Sequence, residues 1–159
     1  MSLIQRDVCS LIYEQRWAAL ATLGSDGPNA SMVAYAPEPG LNGLLLYISQ
    51  LATHTGQLLT HPECSLAISV PDGGLDDPQL LARVSLRGRA MPIPRNSAGF
   101  AAAAACYVER IPAAASRLVL TDFQLFRFVF EEARFVGGFA RAARFEGGPL
   151  REVAVEMGL

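Results

Sequence analysis

The chain has 159 residues, of which 51% are hydrophobic and 18% charged, with a formal net charge of −2. That is one domain's worth of chain, too apolar to be disordered and without the basic excess that marks a nucleic-acid binder. All 13 positive side chains are arginine, which removes a Schiff-base lysine, a P-loop lysine and a Ser-Lys dyad.

Two histidines, His54 and His61, are too few for a three-histidine metal site. Cys9, Cys64 and Cys106 are far apart and form no CxxC pair, so neither a zinc ribbon nor a disulfide framework is expected. No stretch reads as a signal peptide or a membrane span, and a cytoplasmic protein is the default expectation.

Apolar Ile4, Val8, Leu11 and Ile12 lie at helical spacing within Ser2 to Arg16, with Ser2 as a cap. Trp17 to Leu23 reads as a strand, 24–28 as a turn and Asn29 to Ala36 as its hairpin partner. A Pro/Gly/Asn turn then leads to a third, wholly apolar strand, Leu44 to Ser49. Thr53 to Thr60 is a short helix, closed by His61-Pro62. Glu63 to Val70 is a strand, Pro71 to Pro78 a loop, and Ala82 to Ile93 a strand with Arg83, Ser85, Arg87 and Arg89 on one face.

Asn96 is expected to cap a helix through the alanine run to Arg110, with Pro112 breaking it before a second short helix at Ala113 to Leu120. Phe123 to Phe130, Ala133 to Val136 and Ala140 to Phe145 close the strand list, and the tail from Gly147 carries weak signals. Short turns between successive strands predict an antiparallel sheet closed as a barrel, in one domain spanning 1–159.

The densest cluster of polar groups is Ser49-Gln50-Leu51-Ala52-Thr53-His54-Thr55. It joins a strand to a helix start, where backbone amides and the helix dipole favour an anion such as a phosphate. Thr53 as a plain helix cap and His54 as a solvated turn residue are the simpler alternatives. No GxSxG elbow is present, and the adjacent Glu131 and Glu132 would point to opposite faces of a strand. Cys64 and Cys106 read as core.

An ordered set of motifs runs through the chain. It comprises Gly27-Pro28-x-x-Ser31-x-Val33, then Leu45-x-Tyr47-Ile48-Ser49-x-Leu51-Ala52-x-His54-Thr55-x-x-Leu58, then Pro62-x-x-Ser65-Leu66. This set resembles the flavin-binding split-barrel superfamily of pyridoxamine 5′-phosphate oxidase. Ala82 to Ala90 and Phe135 to Ala142 are similar to its haem-utilisation branch, and the resemblance covers about 3–145.

It implies a mainly β fold with peripheral helices: a six-stranded antiparallel split barrel, usually a homodimer with FMN sites between subunits. The expected activity is flavin-dependent oxidoreduction of a small molecule. The implied cofactor contacts are Ser31, Val33, Ser49, Thr53, His54, Thr55, Arg83 and Arg141. In the oxidases an arginine and a lysine help to hold the phosphate; the matching turn here reads Thr53-His54-Thr55. Phe139 could stack on a ring. The branch also implies haem as an alternative cofactor, but its C-terminal histidine ligand has no counterpart here, where only Met157 lies in the tail. A barrel without cofactor is the third alternative.

Overall fold

The computed structural model describes residues 2–138 and 141–159. The expected first helix is α1, Leu3–Glu14, and Ser2 caps it in a reciprocal capping box with Gln5. Strands β1 (Trp17–Gly24) and β2 (Gly27–Ala34) form the expected hairpin. Then come the short β3 (Ala36–Pro37), β4 (Leu44–Ser49), helix α2 (Thr53–Thr60) and β5 (Glu63–Ser69). They are followed by β6 (Arg83–Ile93), α3 (Phe100–Arg110), β7 (Phe123–Val136), β8 (Ala142–Glu146) and α4 (Gly147–Glu156).

One antiparallel sheet runs in the order β2-β1-β5-β6-β7-β4-β3, with β8 added to the far half of β7. The six long strands are those the barrel requires. Its two edges, β2 and β4, come into contact across the seam without pairing in the sheet. β3 and β8 are short additions, which bring the count to eight.

The barrel interior holds the main core. Leu44, Leu46 and Ile48 of β4 point into it with Phe126, Phe128 and Phe130 of β7, and α1, α2 and α4 contribute to it. Leu45, Tyr47 and Leu125 point the other way, into a second core covered by Ala103, Ala104 and Tyr107 of α3. β4 is therefore buried on both faces, which explains its unbroken apolar run.

The tail, weak in local signal, takes a definite form, and two expectations are corrected. The tail folds as α4, because Leu150, Val153 and Ala154 reach the main core; a ten-residue helix holding two glycines and a proline is poor in local signal and depends on that packing. Asn96 does not cap α3; Gly99 occupies the cap without a side-chain bond. Only a 3₁₀ segment, Pro112–Arg117, forms where a second helix was expected.

The expected break near Glu131 is a bulge within one continuous strand. Arg87 pairs with Glu132 but the next residue, Gly88, pairs with Phe130, leaving Glu131 as the extra residue. Gly88 is pressed against β7 so closely that an added Cβ would lie 2.0 Å from the Val129 carbonyl oxygen.

The outer face of the sheet is of two kinds. On β1 and β2 it carries Trp17, Ala21, Leu23, Pro28, Ala30 and Met32, all exposed. On β6, β7 and β8 it carries Arg87, Arg134 and Arg144, which converge on the nearly buried Glu132. The Arg134 guanidinium, with those of Arg144 and Arg87, holds the Glu132 carboxyl below the usual carboxylate range.

Gly88→Ala is expected to cost more than about 2 kcal/mol, because the contact is with backbone and cannot be relieved by a rotamer. Leu150→Ala is expected to cost about 2–5 kcal/mol as a core truncation. Urea denaturation of each variant against wild type measures both. A loss near zero for Leu150→Ala would show that α4 is dispensable.

Candidate functional site

The strand-to-helix turn after β4 is locked by its own bonds. Ser49 Oγ accepts from the Leu51 amide at 3.2 Å, and the Ser49 carbonyl accepts from the Ala52 amide at 3.2 Å. The fully buried Thr55 hydroxyl donates to the same carbonyl at 2.6 Å. Thr22 Oγ1 of β1 donates to Gln57 Oε1 at 2.6 Å and ties α2 to the barrel.

Ala52 is the cap residue of α2 and offers no side-chain acceptor. Thr53 is thus the first helical residue rather than the cap. Among the described residues the Thr53 and His54 amides meet no acceptor, whereas the Thr55 and Gly56 amides bond to the Ala52 carbonyl. Two amides at the positive end of the helix, with no acceptor, are the local chemistry of an anion site. Thr53 is exposed. His54 is half-buried, and desolvation pushes its pKa below the ordinary imidazole value.

Ser31 of β2 is half-buried and its Oγ lies 3.3 Å from Asn29 Nδ2, which donates to it. Asn29 also lines a groove with Thr53 and Gln57, so the hairpin and the start of α2 share one surface. Val33 is buried in the main core.

Arg83 and Arg141 stand apart from this turn. Arg83 sits on the outer face of β6 and donates to the carbonyls of Gln79 and Leu81 at 2.8 and 3.1 Å. Arg141 pairs with Asp7 at 2.6 Å. Phe139 lies outside the described residues. Arg89 pairs with Glu63, and His61 closes α2 as an exposed C-cap residue. Met157 is half-buried against the main core.

The cysteines offer no ready thiolate: burial pushes Cys9 up to about 11, Cys64 to about 12, and Cys106 upward as well. Among the described residues no cluster of His, Cys, Asp or Glu could hold a metal, and no helix is long and apolar enough to cross a membrane.

Sequence reasoning missed Asn29 and Gln57. Asn29 was within reach, since it shares the alternating face of Ser31 on a strand already assigned. Gln57 gave no sign, because its bond to Thr22 spans 35 residues.

The family model for pyridoxamine 5′-phosphate oxidase matches residues 5–137. The chain belongs to that family. No curated protein matches the sequence.

Among solved structures it is similar to a haem-binding protein from Mycobacterium smegmatis, with 28% identity and a TM-score of 0.85. That match covers 96% of this chain and 61% of the other, so the chain spans under two thirds of that relative's length. HutZ, the haem storage protein of Vibrio cholerae, matches with 22% identity and a TM-score of 0.71, over 90% of this chain and 94% of that one. An FAD-binding protein from Mesorhizobium loti matches with 15% identity and a TM-score of 0.66, over 84% and 90% of the two chains. The last two likenesses show the fold alone.

His54 generates a pH prediction. Its folded pKa lies below its unfolded one, so the unfolded chain binds more protons as pH falls through the ordinary imidazole value. The penalty is absent when the ring is neutral and opens on acidification. Wild type is therefore expected to lose stability relative to His54→Gln between pH 7.5 and 5.5 in urea titrations. A constant difference across that window would show that His54 is not desolvated.

Proposed function

We propose that this protein binds a flavin by its phosphate at the β4–α2 turn and acts as a flavin-dependent oxidoreductase. The observation that carries the reading is the pair of amides, Thr53 and His54, left without acceptors at a helix start whose cap has no side-chain oxygen. In a member of this family, that is a place built to receive an anion. Thr53 Oγ1 and the His54 ring add donors beside the amides, and Ser31 and Asn29 approach from β2.

Ser49 and Thr55 act differently. Their polar atoms are spent on holding the turn, so they position the amides rather than contact the phosphate. With no arginine or lysine in the turn, the phosphate is held by dipoles and neutral donors, each hydrogen bond netting about 1 kcal/mol. Arg83 joins the site only by giving up its two carbonyl partners.

A bound flavin supplies the electron transfer; the protein supplies position and field. A phosphate dianion beside His54 opposes the desolvation that keeps the ring neutral, so binding takes up a proton and affinity falls as pH rises.

The same reading places a second copy of the chain against the apolar face of β1 and β2. Trp17, Ala21, Leu23, Ala30 and Met32 form an exposed band that none of the described residues covers, and such a band marks an interface. Haem is the second reading, favoured by the likeness to the Mycobacterium protein. It needs an axial ligand, for which His54, His61 and the half-buried Met157 are the histidine and tail methionine candidates.

Titrating apo protein with FMN, riboflavin and haem separates the readings. FMN is expected to bind more tightly than riboflavin, and His54→Ala to weaken FMN while leaving riboflavin unchanged. A Soret band on haem addition, without flavin binding, would replace the flavin reading with the haem one.

Light scattering at micromolar concentration is expected to show a dimer, and Ala21→Arg a folded monomer by circular dichroism. A monomeric wild type would remove the subunit interface from the site.

A further inference from the structure

Gln124 begins a line of phenylalanines. β7 alternates, so Gln124 shares the barrel-side face of Phe126, Phe128 and Phe130. Its Oε1 is buried and, among the described residues, meets no hydrogen-bond donor. Buried acceptors are almost always paired, so an unpaired one is available to a molecule from outside.

Gln124 lines a cleft of about 350 Å³ where β6 ends and β7 begins. That volume is at the small end of ligand sites and suits a molecule of one or two rings. Leu59, Pro92, Phe100 and Phe123 make the walls apolar. The two aromatic walls are held in place. The Arg95 guanidinium lies over the Phe100 ring, 5.4 Å from its centroid, and the Phe123 ring packs against Tyr47 with centroids 5.3 Å apart.

The other two side chains in the lining that carry nitrogen are Gln50 and Arg95, and their bonds run elsewhere. Gln50 Nε2 donates to the Thr121 carbonyl at 3.2 Å. Arg95 donates to the carbonyls of Leu118 and Leu120 at 3.0 and 2.6 Å. Arg95 is exposed at the rim, and among the described residues it pairs with no carboxylate.

We infer that this cleft is a binding site for a flat aromatic acid, whose ring N–H or O–H donates to Gln124 Oε1 while its acidic group faces Arg95.

The inference does not rest on the flavin reading. The proposed phosphate turn faces Asn29 and Ser31 of β2, across the seam from β4. The cleft is built on β6 and β7, on the opposite side of β4 in the sheet, and shares no lining residue with the groove beside Thr53.

The probes are indole-3-carboxylate, its 1-methyl derivative, which lacks the ring N–H, and indole, which lacks the acid. Each is titrated by calorimetry against wild type and Gln124→Leu. In wild type, indole-3-carboxylate is expected to bind about fivefold more tightly than either of the others, the worth of one hydrogen bond. Gln124→Leu is expected to bring the two acids within about twofold of each other. Its urea midpoint is expected to rise, since it removes an unpaired buried oxygen.

Failure of all three probes to bind overturns the inference. So does an N–H preference that survives Gln124→Leu, or a fall in that variant's urea midpoint, which would show the oxygen to be paired within the protein. Indole binding as tightly as its acid overturns the place given to Arg95. Excess FMN is expected to leave the affinity for indole-3-carboxylate unchanged. Displacement by FMN would overturn a separate site while leaving the flavin reading standing.

Discussion

The close approach of Gly88 to the Val129 carbonyl organises this molecule. β7 is fourteen residues long and lies inside the sheet, and on one side no single partner serves its whole length. Its first half pairs with β4 and its second with β8, while β6 follows it on the other side throughout. The bulge at Glu131 lets β7 bend between these two duties without breaking, and only a residue without a side chain fits opposite it. The bend puts Phe126, Phe128 and Phe130 in the barrel. It also turns Glu132 outward to collect three guanidiniums. The barrel wall and its arginine-bearing outer face thus follow from one missing Cβ.

The candidate site inherits its shape from this barrel. β4 ends at Ser49 because its pairing with β7 ends there, at Phe123. The chain must then turn across the barrel mouth, and it does so by starting α2 on a residue that cannot cap it. The first amides of a helix have no partner within it and are met by a cap side chain, by water or by a ligand. Here the cap residue is Ala52, and the Thr55 hydroxyl of the first turn is directed inward to the Ser49 carbonyl. What the helix start lacks in capping leaves two amides open, the feature on which the proposed anion site rests.

How far the sequence could be read depended on where the stabilising contacts lie. The β1–β2 hairpin, the doubly buried β4 and the alternating β6 declare themselves through period-two patterning and turn residues, both local properties. The tail helix does not, because its glycines and proline say coil while Leu150 and Val153 find partners on distant elements. The bulge at Glu131 looked like a strand end, since a slipped register interrupts alternation in the same way. Within the site, Thr53 and His54 were readable from their place before a helical run. The spent hydroxyls of Ser49 and Thr55, and the bond from Thr22 to Gln57, depend on side-chain directions that spacing does not encode.

The bond from Thr55 to Ser49 and the bond from Thr22 to Gln57 have a kinetic consequence. They hold α2 to β4 and β1, so the amides of the proposed phosphate site are aligned in advance. A ligand bound as proposed would incur little loop-ordering entropy, and its encounter would not be throttled by a conformational step. Variation in affinity among ligands of this site should therefore reside in how slowly they leave, with arrival rates nearly common to all.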